Sequence, residues 1–176
     1  MNTASRKRVS GFTVIEMFIA LAVLAILLAV ALPSMENVAA KADMKAATDQ
    51  VAQAFRTAKE AARLTNSSVT VTLTTSGTGN NTVSFAFANG TVDADGAAFA
   101  NNEGNAQKRM ALPVIKLPAN VAVSADTSVF TYNPMGMVDA TGTIALASTA
   151  DDKYSSTVAI NTLMGHVIAQ YDAIGS

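Results

Sequence analysis

The chain contains no cysteine and no tryptophan, a single histidine and only four prolines. Without cysteine there is neither a disulfide framework nor a thiolate metal site. One histidine excludes a cluster of imidazole ligands, and any Ser-His-Asp arrangement would have to recruit His166. That residue stands inside an apolar strand pattern, which favours packing or a surface position. Aromatic residues make up 6% of the chain, and Ala, Thr, Ser, Asn and Val dominate its second half. Such a composition reads as a β-rich extracytoplasmic domain rather than a large enzyme core. No nucleophile–base–acid set and no metal-ligand spacing is found, so the expectation is a protein that is not an enzyme and carries no cofactor or metal.

Long hydrophobic runs are also missing, with one exception. Residues 12–32 are apolar apart from Thr13 and Glu16, and after Glu16 the next charge is Glu36. At about 1.5 Å per residue this span forms roughly 31 Å of helix, enough to cross a bilayer core. Arg6, Lys7 and Arg8 stand just before it. Basic residues on that flank keep the N-terminus in the cytoplasm and send the remainder across as a single-pass protein. Glu16 is the anomaly, because a charge at mid-membrane costs about 3 kcal/mol on insertion scales and so usually has a partner and a role. An ordinary secretory signal is the competing reading, since Ala29-Val30-Ala31 resembles a cleavage site. Against it, Glu16 would interrupt the apolar core of such a signal, and the run is long for one.

The run Gly11-Phe12-Thr13-Val14-Ile15-Glu16 resembles the class III leader of type IV prepilins and pseudopilins. In that family a short basic leader ends in Gly, the mature chain begins with Phe or Met, and its fifth residue is Glu. The resemblance implies that a prepilin peptidase cuts between Gly11 and Phe12 and that Phe12 is N-methylated. Gly suits the cleaved position because it has no side chain to crowd a tight cleft. The new amine, four residues before Glu16 or on a neighbouring subunit, would neutralise that carboxylate and make Glu16 the residue needed for filament assembly. Pro33 falls where the family often has a helix-kinking proline. Loss of the leader leaves 9 basic against 13 acidic residues, a net charge of −4. A general polyanion-binding surface is therefore not expected.

Beyond Pro33, Met44, Ala47, Val51, Phe55, Ala58 and Ala62 recur at spacings of three and four and mark one face of a helix. The chain thus predicts one helix over residues 12–64, ended by Thr65-Asn66-Ser67-Ser68. Alternation of Val69, Val71 and Leu73 with threonines predicts the first strand. Further strands are expected at 83–87, 114–117, 121–123, 129–132, 142–146, 156–160 and 165–169, with a long polar loop over 93–107. A length of 176 residues suits one modest domain plus an anchor. The expected class is α+β: a long N-terminal helix, transmembrane in its first half and amphipathic in its second, packed on an antiparallel domain of seven or eight strands. The corresponding segments are a leader (1–11), an apolar helix (12–32), its amphipathic continuation (33–66) and a periplasmic β-rich domain (67–176).

The resemblance narrows further along. The segment 54–63 followed by Asn66 and Val69-Thr70-Val71 is similar to the GspH/FimT minor pilins, as are Phe130 to Gly136, Gly142-Thr143-Ile144 and Met164-Gly165-His166-Val167. Membership implies a subunit of a type IV pilus or type II secretion pseudopilus, held in the inner membrane and then moved into the filament. The implied partners are the prepilin peptidase and other pilins, with no small-molecule substrate. Some FimT-like proteins bind DNA in natural transformation through a G-R-x-R run. Here the matching positions read Gly165-His166-Val167-Ile168, which argues against that alternative, as does the acidic net charge. Asp93-Ala94-Asp95-Gly96, with Glu103 nearby, lacks a full calcium-loop pattern and reads as a solvated turn. Lys108 and Arg109 form only a two-residue basic spot.

Overall fold

The computed structural model describes residues 13–76, 80–92, 94–100, 110–150, 153–161 and 164–173, and not the side chains at 30–37 and 173. One helix, α1, spans Val14–Thr65 and continues through Pro33. The chain divides into two compact units, one ending at Val38 and the other being Ala39–Ser176.

In the first unit the helix begins at Thr13, whose carbonyl accepts hydrogen bonds from the Glu16 and Met17 amides at 3.1 and 3.2 Å. Every described side chain from Val14 to Ala29 is exposed. Composition alone makes this segment helical: Leu, Ala, Met and Ile are strong or acceptable helix formers, and no Gly or Pro interrupts them before Pro33.

In the second unit one face of α1 is buried. Ala40, Met44, Ala47, Val51, Ala54, Phe55, Ala58, Ala61 and Ala62 follow the three-and-four spacing and are all shielded. The alanines matter here, because small side chains let sheet residues approach the helix backbone closely. α1 ends in a Schellman motif. Asn66 takes the left-handed conformation with φ of 50°, and the Ser67 amide donates to the Ala62 carbonyl at 3.3 Å. Asn is one of the few residues that visits this region at modest cost, so the helix stop is written into residue 66.

Eleven strands follow among the described residues: β1 (Val69–Thr74), β2 (Thr82–Phe87), β3 (Gly90–Val92), β4 (Ala98–Ala100), β5 (Ala111–Leu112), β6 (Ile115–Lys116), β7 (Val121–Ala125), β8 (Val129–Tyr132), β9 (Gly142–Ser148), β10 (Tyr154–Ile160) and β11 (Val167–Ala173). They form two four-stranded sheets, ordered β6-β2-β1-β8 and β11-β10-β9-β7, and a small sheet β3-β4-β5. All the pairings are antiparallel, with registers such as Val71 opposite Phe85 and Val158 opposite Ile144. Burial alternates along β1, β9 and β10, so each strand gives one side to the helix and one to solvent.

The observed α+β architecture is the expected one, with two differences of detail. The polar stretch assigned to a loop over 93–107 contains β4, and β3 and β5 flank it. Ala98 and Ala100 are buried, yet small residues give no β-branched signature that would announce a strand. The strand count is therefore above the seven or eight expected. The last strand also begins at Val167 rather than Gly165, because Gly165 has a φ of +64° and forms a turn.

The core is tied together by a T-shaped pair, Phe55 on α1 and Phe130 on β8, with ring centres 5.2 Å apart. A buried polar clamp joins the helix to the other large sheet: the Thr48 and Ser156 hydroxyls share a hydrogen bond, and Thr48 also donates to the Met44 carbonyl at 2.8 Å. Buried Asn81 is satisfied on both ends of its amide, accepting from the Ser76 amide at 2.9 Å and donating to the Val121 carbonyl at 2.7 Å.

Candidate functional site

Of the residues singled out in the sequence, Glu16 and Pro33 fall on α1, while Gly11 and Phe12 lie outside the described residues. Glu16 sits at the third helical position after Thr13. Its amide donates to the Thr13 hydroxyl oxygen at 3.3 Å. Thr13-Val14-Ile15-Glu16 is therefore an S/T-x-x-E capping pattern, in which the threonine satisfies an orphan amide and the glutamate lies near the positive end of the helix dipole. This feature was readable in the sequence and escapes a reading that treats the segment only as an apolar run. Glu16 is exposed, and residues 17–29 carry no charge.

The surface around it is apolar on every side. Ile15, Phe18 and Ile26 are about two-thirds exposed, and Val14 is 74% exposed. A helix that is hydrophobic all round is ordinarily buried, so this one requires a cover, either lipid or other apolar helices. Among the described residues no helix is long and apolar enough to cross a membrane; the described side chains of this run stop at Ala29.

A second feature lies in the domain. Arg56, Lys59, Glu60 and Arg63, on successive turns of α1, form one wall of a cleft of about 460 Å³, and Gly165, His166 and Val167 form the other. His166, the sole histidine, is exposed here rather than packed in a core. Lys59 is committed to the scaffold, donating from Nζ to the Met164 carbonyl at 2.7 Å. The turn 133–137 packs beside the helix wall: Asn133 Oδ1 accepts from the Met135 and Met137 amides at 3.0 Å each, and Gly136 (φ +78°) brings the backbone against the aliphatic stem of Arg63. Behind Gly165 lies Tyr132, fully buried, whose hydroxyl has no hydrogen-bond partner among the described residues. Burial pushes the Tyr132 phenol up to about 12. Further along the helix, Tyr171 donates to Asp49 Oδ1 at 2.6 Å, and that bond, with burial and the Asp49 charge adding, pushes its phenol up to about 12 as well.

Asp95 is described in a turn, whereas Asp93, Glu103, Lys108 and Arg109 lie outside the described residues. Among the described residues no group of three or more His, Cys, Asp or Glu side chains is placed to hold a metal ion.

Comparison with known proteins supplies the context for these features. The family profile for the type II transport protein GspH matches residues 47–163. That for the prokaryotic N-terminal methylation motif matches residues 6–32. No curated protein matches the chain. Among solved structures, the type IV minor pilin FimU of Pseudomonas aeruginosa is similar at a TM-score of 0.50 and 10% identity, over 72% of this chain and 87% of that one. The minor pseudopilin EpsH from the type 2 secretion system of Vibrio cholerae is similar at 0.49 and 13% identity, over 76% and 99%. At these identities the likeness to FimU is one of fold. The profile match to GspH covers well over half of the sequence, and it begins within α1 and ends just before the cleft turn at Gly165. The chain belongs to the GspH family of pilin-like proteins and carries at its N-terminus the family's methylation motif.

Proposed function

We propose that this protein is a structural and assembly subunit, a minor pilin or pseudopilin. It is made as a prepilin, anchored in the inner membrane by residues 12–32 with the domain in the periplasm, cut between Gly11 and Phe12, and N-methylated on Phe12. It is then drawn into a type IV pilus or type II secretion pseudopilus by packing of its apolar helix against those of its neighbours. The observation that carries this reading is the helix of residues 14–29, which exposes apolar side chains on all sides and bears a single charge, Glu16, in its first turn.

The energetics favour such a transfer. Leaving lipid for a bundle of like helices exchanges one apolar environment for another, so the gain comes from close packing and from pairing the one charge. Glu16 with the freed amine of a neighbouring subunit supplies that pair and sets the axial register. Replacing Glu16 with Ala is expected to leave cleavage intact and to cut incorporation into filaments at least about tenfold, since a desolvated charge pair is worth more than about 1.4 kcal/mol. Incorporation at the wild-type level would refute the pairing role.

A DNA receptor is the weaker alternative. The mature chain would be net acidic, and the positions that match the G-R-x-R run carry no arginine.

A further inference from the structure

The cleft between α1 and the turn before β11 has no part in the assembly reading above, and it combines two properties seldom found together on an idle surface. Its basic residues are concentrated: Arg56, Lys59 and Arg63 share one cavity, with the His166 ring beside them, on a chain whose net charge is −1. Lys59 is used internally, but neither Arg56 nor Arg63 makes a side-chain hydrogen bond or ion pair among the described residues. Both are exposed, and the stem of Arg63 lies beside Gly136.

The second property is the rim. Met135 is 80% exposed and Met164 is 68% exposed, one on each of the two turns beside the cleft, though neither lines it. The turns meet there, since a Cβ on Gly165 would lie 3.3 Å from the Gly136 carbonyl oxygen. Methionine side chains are flexible and polarisable, and when exposed in pairs they suit adaptable contact with apolar partners.

We infer that this cleft is a docking site for an acidic, amphipathic segment of another protein, whose carboxylates pair with Arg56 and Arg63 while its apolar side chains lie on Met135 and Met164. Guanidinium groups bind carboxylates in a bidentate fork, which suits isolated acidic side chains spaced along a peptide. Three observations favour a peptide over nucleic acid. The cleft is lined by only three Lys or Arg side chains, Glu60 stands among them, and the turns beside it offer methionines where a nucleic-acid surface would offer stacking aromatics. The inference rests on the domain's own geometry and does not require the filament reading.

The test is a binding titration of full-length protein in detergent micelles with a fluorescently labelled peptide that alternates Glu and Asp with Leu and Phe. Saturable, salt-sensitive binding is expected, weakened at least about tenfold by combined Arg56→Ala and Arg63→Ala substitution. The Met135→Ser, Met164→Ser pair is expected to weaken it severalfold, and a peptide with lysines in place of its acids is expected not to bind. All four side chains are exposed, so these variants should fold, and circular dichroism checks that they do. The inference is overturned if the arginine variant binds as tightly as the parent or if no saturable binding is seen. It is equally overturned if duplex DNA displaces the peptide and binds more tightly in an arginine-dependent way.

Discussion

Gly165 and Gly136 show how single residues shape the domain end. Both lie in the left-handed region, but their surroundings differ. A Cβ on Gly165 would come within 2.5 Å of the buried Tyr132 ring, whereas on Gly136 it would meet the flexible stem of Arg63. Gly165→Ala should therefore cost about 3 kcal/mol of stability, from backbone strain plus overpacking, and Gly136→Ala only about 1–2 kcal/mol. Denaturant midpoints compare the two, and equal losses would contradict the packing argument. Tyr171 supports a prediction of a different kind. Its phenol is raised from 10.0 to about 12, chiefly by the bond to Asp49. Because the folded value exceeds the unfolded one, the bond contributes stability below pH 10 and loses it as pH rises through 10 to 12. Half of Tyr171 is exposed, so solvent screening keeps that contribution small. In an ultraviolet titration of the folded protein, Asp49→Ala should return one tyrosine toward 10 and leave Tyr132 near 12. No change in either would contradict the assignment of the cause.

At the scale of elements, α1 and its sheets are held by a short list of contacts. Phe55 and Phe130 join the helix to the β6-β2-β1-β8 sheet, and Phe55 is fully shielded. Phe55→Ala should cost about 3–5 kcal/mol, from lost burial and the cavity left among alanines that cannot collapse to fill it. A loss below about 1 kcal/mol would show that the helix is anchored elsewhere. Much of this level was legible in the sequence. The three-and-four spacing of Met44 to Ala62 picks out the buried face, and valine–threonine alternation places β1 because a sheet with one covered side needs it. The small sheet was not legible. Ala98 and Ala100 bury too little to leave a periodic trace, and their pairing with Gly90 and Leu112 depends on contacts beyond any local window. The cleft was hidden for the same reason. Nothing local marks Arg56, Lys59 and Arg63 as the wall of a cleft, which exists only once the turn at Met164, 105 residues from Lys59, is brought against them.

For the whole molecule, the two units divide the work. Ala39–Ser176 has a complete core of its own, drawn from Met44 onward. Residues 14–29 offer only an uncovered apolar surface and a capped, acidic first turn. Here the sequence was most informative, because charge placement and hydrophobic length are local properties that need no tertiary contact to be read. Glu16 stood out for that reason, while its capping relation to Thr13 required attention to helix ends rather than hydropathy. The central claim is that the N-terminal segment is a processed polymerisation helix and not a secretion signal. Intact-mass and N-terminal peptide analysis of protein purified from its own cells tests it directly. The account predicts a chain that begins at Phe12 and carries an N-methyl group there. A chain that begins at Leu32, or that retains Met1 and the basic leader, would contradict it.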